Sequence, residues 1–277
     1  TSGSLSFYTS TSPSLMLMGS RGVDSIDAPA MVTGRFSDPL NDDLLFMARN
    51  SPGDLRHYYR LAGGGMYVTP GYSNAQPGVY GSDVNATVGD INADGKPDFV
   101  MHSIGVVKKY QIFIRNQDKF DSVGPIGFTD IPILPPVLGD VNGDGRADLV
   151  YVSNDKLGLL PTKPAAPSFN TAQSIQTLSA TGLGIQAMAL AQINARTDKT
   201  IDIALAANTP VPQEVMLFRG GPQMSLLEKV KIPTPVGAIS MMTAADVSAD
   251  SGAATPPHLS RWRSTQRSYA RARDLAH

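Results

Sequence analysis

The sequence predicts an all-β protein, a β-propeller built of four-stranded blades, and three observations lead there. Two nine-residue acidic loops with matching residue types, Asp90–Asp98 and Asp140–Asp148, recur 50 residues apart. Each runs into an apolar segment, Phe99-Val100-Met101 or Leu149-Val150-Tyr151, rich in the β-branched and aromatic residues that suit strands. Weaker traces of the same loop carry the period along most of the 277 residues, and a period near 50 marks propellers or solenoids.

Taken from the N-terminus, Leu5 to Tyr8 and Leu15 to Met18 read as the outer two strands of a preceding blade. The first trace follows, with Gly34, a closing Asp43 and a strand from Leu44, but Arg35 and Pro39 stand at the first and fifth loop positions. The two complete loops come next. The fourth trace, from Ala191 to Asp202, carries a two-residue insertion and has Gln192 and Arg196 where carboxylates stood. A fifth, Asp246-Val-Ser248-Ala-Asp250, begins the motif and abandons it. Glycine or its replacement thus falls at 34, 89, 139, 191 and 245, in steps of 55, 50, 52 and 54. Between loops the chain offers a first apolar strand, a second one (Val107 to Ile114, Glu214 to Phe218), a turn and a further short segment. Four strands per repeat make a propeller blade.

The loops also carry chemistry. Positions 1, 3 and 5 hold Asp90, Asn92, Asp94 in one copy and Asp140, Asn142, Asp144 in the other; position 9 is Asp98 or Asp148. Three carboxylates in nine residues repel one another, and a divalent cation removes that conflict. Calcium accepts six to eight oxygens from carboxylates, amides, backbone carbonyls and water. In an extended loop alternate side chains point the same way, so residues 1, 3 and 5 converge while Ile91 or Val141 turns inward. Gly95 or Gly145 at position 6 permits a positive-φ turn, and the carbonyl of Lys96 or Arg146 becomes the natural backbone ligand. The plain alternative is an Asn/Asp/Gly turn between strands; two copies with the same ligand positions weigh against it. An EF-hand requires glutamate at position 12 and flanking helices, whereas position 12 here is Met101 or Tyr151. Dockerin-type loops, too, lead into helices and lie closer together.

The pattern Asp-x-Asn-x-Asp-Gly-x-x-Asp at this period resembles the FG-GAP or VCBS repeats of integrin α-chain-like β-propellers, over roughly residues 25 to 250. The resemblance implies a loop between the first and second strands of each blade. It also implies two calcium ions, held by Asp90, Asn92, Asp94 and Asp98 and by Asp140, Asn142, Asp144 and Asp148, with the Lys96 and Arg146 carbonyls. Family propellers commonly have seven blades. The chain has room for about five, so it either closes its own ring, with the N-terminal strands meeting a strand at Ala238 to Val247, or forms part of a larger one.

Composition sets the remaining bounds. With 42% hydrophobic residues and an even repeat, residues 1–250 read as one propeller domain. The absence of cysteine excludes disulfides, thiolate metal sites and cysteine nucleophiles. No apolar run approaches the roughly 18 residues that span a membrane, and no signal peptide is recognisable. Exposed calcium loops suit the outside of the cell, where calcium is millimolar, so a secreted or cell-surface setting is expected. Residues 256–277 hold Arg261, Arg263, Arg267, Arg271 and Arg273 against Asp274 alone, a net +4 where the rest carries −5. Such an arm, with Trp262 and Tyr269, could meet an anionic surface. A solvated linker or an out-of-frame terminus is the simpler account, so residues 251–277 are expected to be a disordered basic tail, with no nucleic-acid partner.

No catalytic signature stands out. His57, His102, His258 and His277 form no cluster, and no Gly-x-Ser-x-Gly elbow occurs. Gly182-Leu-Gly184-Ile-Gln-Ala187 matches a loose dinucleotide fingerprint, but it leads into a blade's first strand rather than a helix, the context that motif needs. Tyr58, Tyr59, Tyr67, Tyr72 and Tyr80 cluster around Gly63-Gly64-Gly65 and could stack on sugars or anchor a protein. The expected function is a calcium-stabilised binding or adhesion module for a protein or carbohydrate partner. A hydrolase or lyase on the same scaffold, or the propeller segment of a larger toxin or surface protein, is the alternative.

Overall fold

A computed structural model describes the backbone of residues 3–231, apart from 12–13, 24–29, 39–40, 51–53, 63–64, 70–83, 105–107, 117–118, 154–155, 165–167, 171–172, 178–183, 193–199, 208–213 and 223; side chains are described for most of these from residue 85 onward. Among the described residues all regular structure is β. Strands β1 (Gly3–Thr11) and β2 (Ser14–Val23) pair as an antiparallel hairpin, where the sequence places two strands.

Four four-stranded sheets follow. The first contains β3 (Ala30–Asp38), β4 (Asn41–Asn50), β5 (Asp54–Ala62) and β6 (Gly65–Thr69). The second contains β7 (Val84–Gly89), β8 (Asp98–Ser103), β9 (Lys109–Asn116) and β10 (Lys119–Gly127). The third contains β11 (Val137–Gly139), β12 (Asp148–Val152), β13 (Lys156–Leu160) and β14 (Gln173–Thr177). The fourth contains β15 (Ile185–Ala191), β16 (Asp202–Ala207), β17 (Glu214–Arg219) and β18 (Ser225–Lys231). In every sheet each strand pairs with its neighbour in sequence, so all four are antiparallel meanders. The dinucleotide-like stretch does lead into a strand, β15.

Register repeats along with the strands. The last glycine or alanine before the loop faces the closing aspartate in all four sheets: Gly34 opposite Asp43, Gly89 opposite Asp98, Gly139 opposite Asp148 and Ala191 opposite Asp202. Pairing at that point fixes the loop's two ends about one strand spacing apart whatever the loop contains. The degenerate copies therefore keep the flanking strand pairing without the ligands.

The second strands β8, β12 and β16 are central and covered on both faces. Every residue of β8, β12 and β16 is buried, which explains their continuous apolar runs in place of an alternating pattern. The chain divides into two compact units, one with β1 to β14 and the other with β15 to β18 together with Val141–Gly143. In the first, Val100, Ile112 and Ile114 of the second sheet meet Leu138, Leu149, Tyr151 and Leu160 of the third, with Ile91 and Ala147 from the two loops. On the opposite face of β8, Phe99 stacks on Phe113 at 4.5 Å and meets Phe120 edge-on at 4.9 Å. Each such buried large side chain contributes about 1.5–3 kcal/mol. The second unit is built on Ile203 to Ala207 with Met216, Leu217 and Phe218, all buried.

Within the first unit the first strands adjoin one another, β3 beside β7 and β7 beside β11. The approach is tight. A Cβ on Gly89 would lie 2.6 Å from the Cβ of Ala147 and 3.0 Å from that of Leu138, so only glycine fits there. The Leu138 amide donates across the gap to Thr87 Oγ1 at 3.0 Å.

Candidate functional site

Both acidic loops connect the first and second strands of their sheets, and their outer halves lie at the surface. Ala93 to Lys96 and Gly143 to Gly145 are exposed, while Ile91 and Val141 are fully buried. The alternation expected from the sequence is therefore present. Gly95 and Gly145 have φ of +79° and +85°, as the turn at position 6 requires.

Position 4 was not expected to be special, yet it is left-handed in both copies. Gly143 has φ +86°, and Ala93 has φ +60°, a conformation that costs a non-glycine residue roughly 1–2 kcal/mol. The glycine in one copy and its absence from the other hid this requirement in the sequence.

Hydrogen bonds fold the first loop around its own carboxylates. Asp90 accepts the amides of Asp94 (3.1 Å) and Gly95 (2.8 Å) on its two oxygens. Asn92 Oδ1 accepts the Asp94 amide at 3.0 Å, and Asp94 Oδ1 accepts the Lys96 amide at 2.8 Å. The Asn92 side-chain amide donates to Asp94 Oδ2 at 3.2 Å. The second loop repeats two of these contacts, Gly145 to Asp140 Oδ2 at 3.0 Å and Arg146 to Asp144 Oδ1 at 2.9 Å. Asp90, Asn92 and Asp94 are thus drawn to one side of their loop, and Asp140 and Asp144 bond to corresponding amides of theirs. The oxygens that accept these bonds are ligands of the kind a hard cation takes. Among the described residues no three His, Cys, Asp or Glu side chains gather into one metal-holding group. Each loop offers two carboxylates and an asparagine, hard-oxygen chemistry that suits calcium better than a transition metal.

Asp98 and Asp148 are placed differently, both fully buried. Asp98 Oδ2 accepts the amides of Ile91 (2.9 Å) and Asn92 (3.4 Å), and Oδ1 accepts that of Arg115 at 2.7 Å. Burial pushes its carboxyl up to about 6, with the Asp94 carboxylate adding to the rise and the three amides opposing it. Asp148 Oδ1 accepts the Thr162 amide at 2.9 Å, and the Thr162 hydroxyl donates to the Ala147 carbonyl at 2.7 Å. The two loops also touch, through the Ala147 amide and the Asp90 carbonyl at 2.7 Å. No feature of the sequence announces that link.

The fourth trace retains part of this frame. Asp202 is buried and accepts the Gly220 amide at 2.9 Å, while Asn194 and Arg196 lie outside the described residues, as do Tyr72 and Tyr80, residues 238–250 and the basic tail. Tyr58, Tyr59 and Tyr67 fall on β5 and β6. Near the turn before β11, Asp130 accepts the Tyr151 hydroxyl at 2.9 Å and pairs with Lys156 at 2.7 Å; the Lys156 hydrogen bond holds its carboxyl below the usual range.

No known family model matches the chain, and no curated protein matches it. Among solved structures it is similar to an Agrocybe aegerita lectin described as specifically recognising non-reducing terminal N-acetylglucosamine, with 14% identity and a TM-score of 0.52, over 79% of this chain and 60% of the lectin's. It is also similar to the Photorhabdus luminescens Tc holotoxin pore (17% identity, TM-score 0.44, 85% of this chain and 11% of that one). A third likeness is to the Vibrio cholerae biofilm matrix protein Bap1 (16% identity, TM-score 0.35, 75% and 40%). At 14% identity the lectin shares an all-β fold with this chain; the other two scores are too low to carry weight. The chain spans 60% of the lectin chain it matches. Among the described residues no helix is long and apolar enough to cross a membrane, which leaves β-barrels aside.

Proposed function

We propose that this chain is a calcium-stabilised β-propeller of the FG-GAP/VCBS type, serving outside the cell as a binding or adhesion module for a carbohydrate or protein partner. One observation carries the reading: two loops with the same oxygen ligands stand at the same register position of successive four-stranded meanders. Adjoining first strands, β3 to β7 to β11, support the propeller, since sheets set around a common axis meet along their innermost strands. Calcium would be held by Asp90, Asn92, Asp94 and the Lys96 carbonyl, and by Asp140, Asn142, Asp144 and the Arg146 carbonyl, with Asp98 and Asp148 at the inner end of each loop. The lectin's specificity makes glycans ending in N-acetylglucosamine the first ligands to try.

Calorimetric titration of chelator-treated protein with calcium tests the metal reading. The expected stoichiometry is two, with magnesium a poor substitute because it demands tighter octahedral geometry; zero or four sites would overturn it. A glycan array probed with calcium-loaded protein tests the partner. Retention on N-acetylglucosamine-ended glycans is expected, and a blank array would remove the carbohydrate reading.

A further inference from the structure

The aspartates that open the second strands share a feature that the ligand pattern does not explain. Asp98, Asp148 and Asp202 have relative exposures of 0%, 0% and 3%, and Asp202 belongs to a loop whose carboxylates at positions 1 and 5 are replaced by Gln192 and Arg196. A carboxylate kept in the core is costly unless hydrogen-bonded. Each of the three finds the same donor. In the second sheet Phe99 faces Phe113, in the third Leu149 faces Leu160, and in the fourth Ile203 faces Phe218. Extending each register by one residue puts Asp98 opposite Ile114, Asp148 opposite Pro161 and Asp202 opposite Arg219. The amide each carboxylate accepts, from Arg115, Thr162 or Gly220, is in every case the next residue along.

That amide lies at or just beyond the end of the third strand that faces the start of the second: Arg115 is one residue from the end of β9, Thr162 lies past β13 and Gly220 directly follows β17. Packing around that amide is tight in the fourth sheet, where a Cβ on Gly220 would collide with the Ile201 carbonyl and lie 3.1 Å from that of Val141. Asp98 adds a second function by accepting Ile91 and Asn92, which ties the start of the acidic loop to the same carboxylate.

We infer that the closing aspartate of each repeat is a positioning residue: a buried clamp that joins the start of the second strand to the exit of the third and holds the sheet together with or without a cation. Asp43 occupies the same register position opposite Gly34, so the first sheet has a candidate for the same part. Selection for the clamp then accounts for an aspartate that persists in a repeat whose outer ligands are gone.

Melting curves in calcium and in chelator separate the clamp from the cation site. Asp202→Ala should lower the melting temperature by about 5–10 °C, equally in both conditions. Asp202→Asn, which retains one acceptor oxygen, should lose less and covers the case in which the alanine variant does not fold. Asp98→Asn should melt lower than the parent in chelator, whereas Asp94→Ala should match the parent there and lose only its response to calcium. The inference is overturned if both Asp202 variants melt with the parent, or if Asp98→Asn matches the parent in chelator. It does not rest on calcium binding: a parent that ignores calcium would sink the metal reading and leave the chelator comparison to decide this one.

Discussion

Asp98 combines full burial with three amide donors, and its carboxyl sits near 6 because burial outweighs them. The sign of the resulting pH effect follows from linkage. A carboxyl raised above its unfolded value of about 3.9 holds a proton in the native state that the unfolded chain has released. Its contribution is complete below about pH 4 and is lost as pH rises through about 6. In metal-free protein the melting temperature of the parent should therefore fall relative to that of Asp98→Asn across this interval; parallel profiles would contradict the assignment. A second residue-scale expectation concerns Ala93, held at φ +60° where the other loop has Gly143. Ala93→Gly should stabilise by about 1 kcal/mol, because the left-handed conformation no longer costs a Cβ clash. A denaturant midpoint measures it, and a destabilised variant would count against the loop geometry.

Within the third sheet, Tyr151 of β12 lies across its cross-strand partner Gly158 of β13. A Cβ on Gly158 would run into the Tyr151 ring, 2.7 Å from Cε1, so the glycine makes room for the aromatic and the ring hydroxyl reaches Asp130. Gly158→Ala should cost about 1–3 kcal/mol through that overlap, more than Tyr151→Phe, which forfeits one hydrogen bond of about 1 kcal/mol; equal costs would argue that the ring moves freely. What the sequence made legible at this scale is whatever is local. Alternation exposed Ile91 and Val141 as core residues, glycine marked the position-6 turns, and the runs after Asp98 and Asp148 announced buried strands. What stayed hidden depends on a partner distant in the chain: Gly158 needs Tyr151, Gly89 needs Ala147, and the buried aspartates need amides 14 to 18 residues away. A pattern read along the chain linked Asp98 and Asp148 to a cation and left their amide partners unseen, because that second set of neighbours comes from folding.

For the whole molecule, calcium that binds only the native state stabilises by RT ln(1 + [Ca]/Kd), about 2.7 kcal/mol per site at a hundredfold excess over Kd. Chelation should lower the melting temperature, and Asp94→Ala or Asp144→Ala should each remove part of that response; an activity lost on chelation with an unchanged melting curve would instead make the metal a catalyst. The period of about 50 residues is legible in the loops alone and is matched by four meanders of four strands each. One consequence of that connectivity is kinetic. Because every ladder joins strands adjacent in sequence, each sheet can zip up from its own turns with little loop-closure entropy, and only the packing of sheet on sheet waits for distant residues. Each sheet is thus expected to behave as a foldon. Under native conditions amide protons should exchange with solvent deuterium in sets of one sheet at a time, β10 and β18 at the edges early and the covered strands β8, β12 and β16 last in each set.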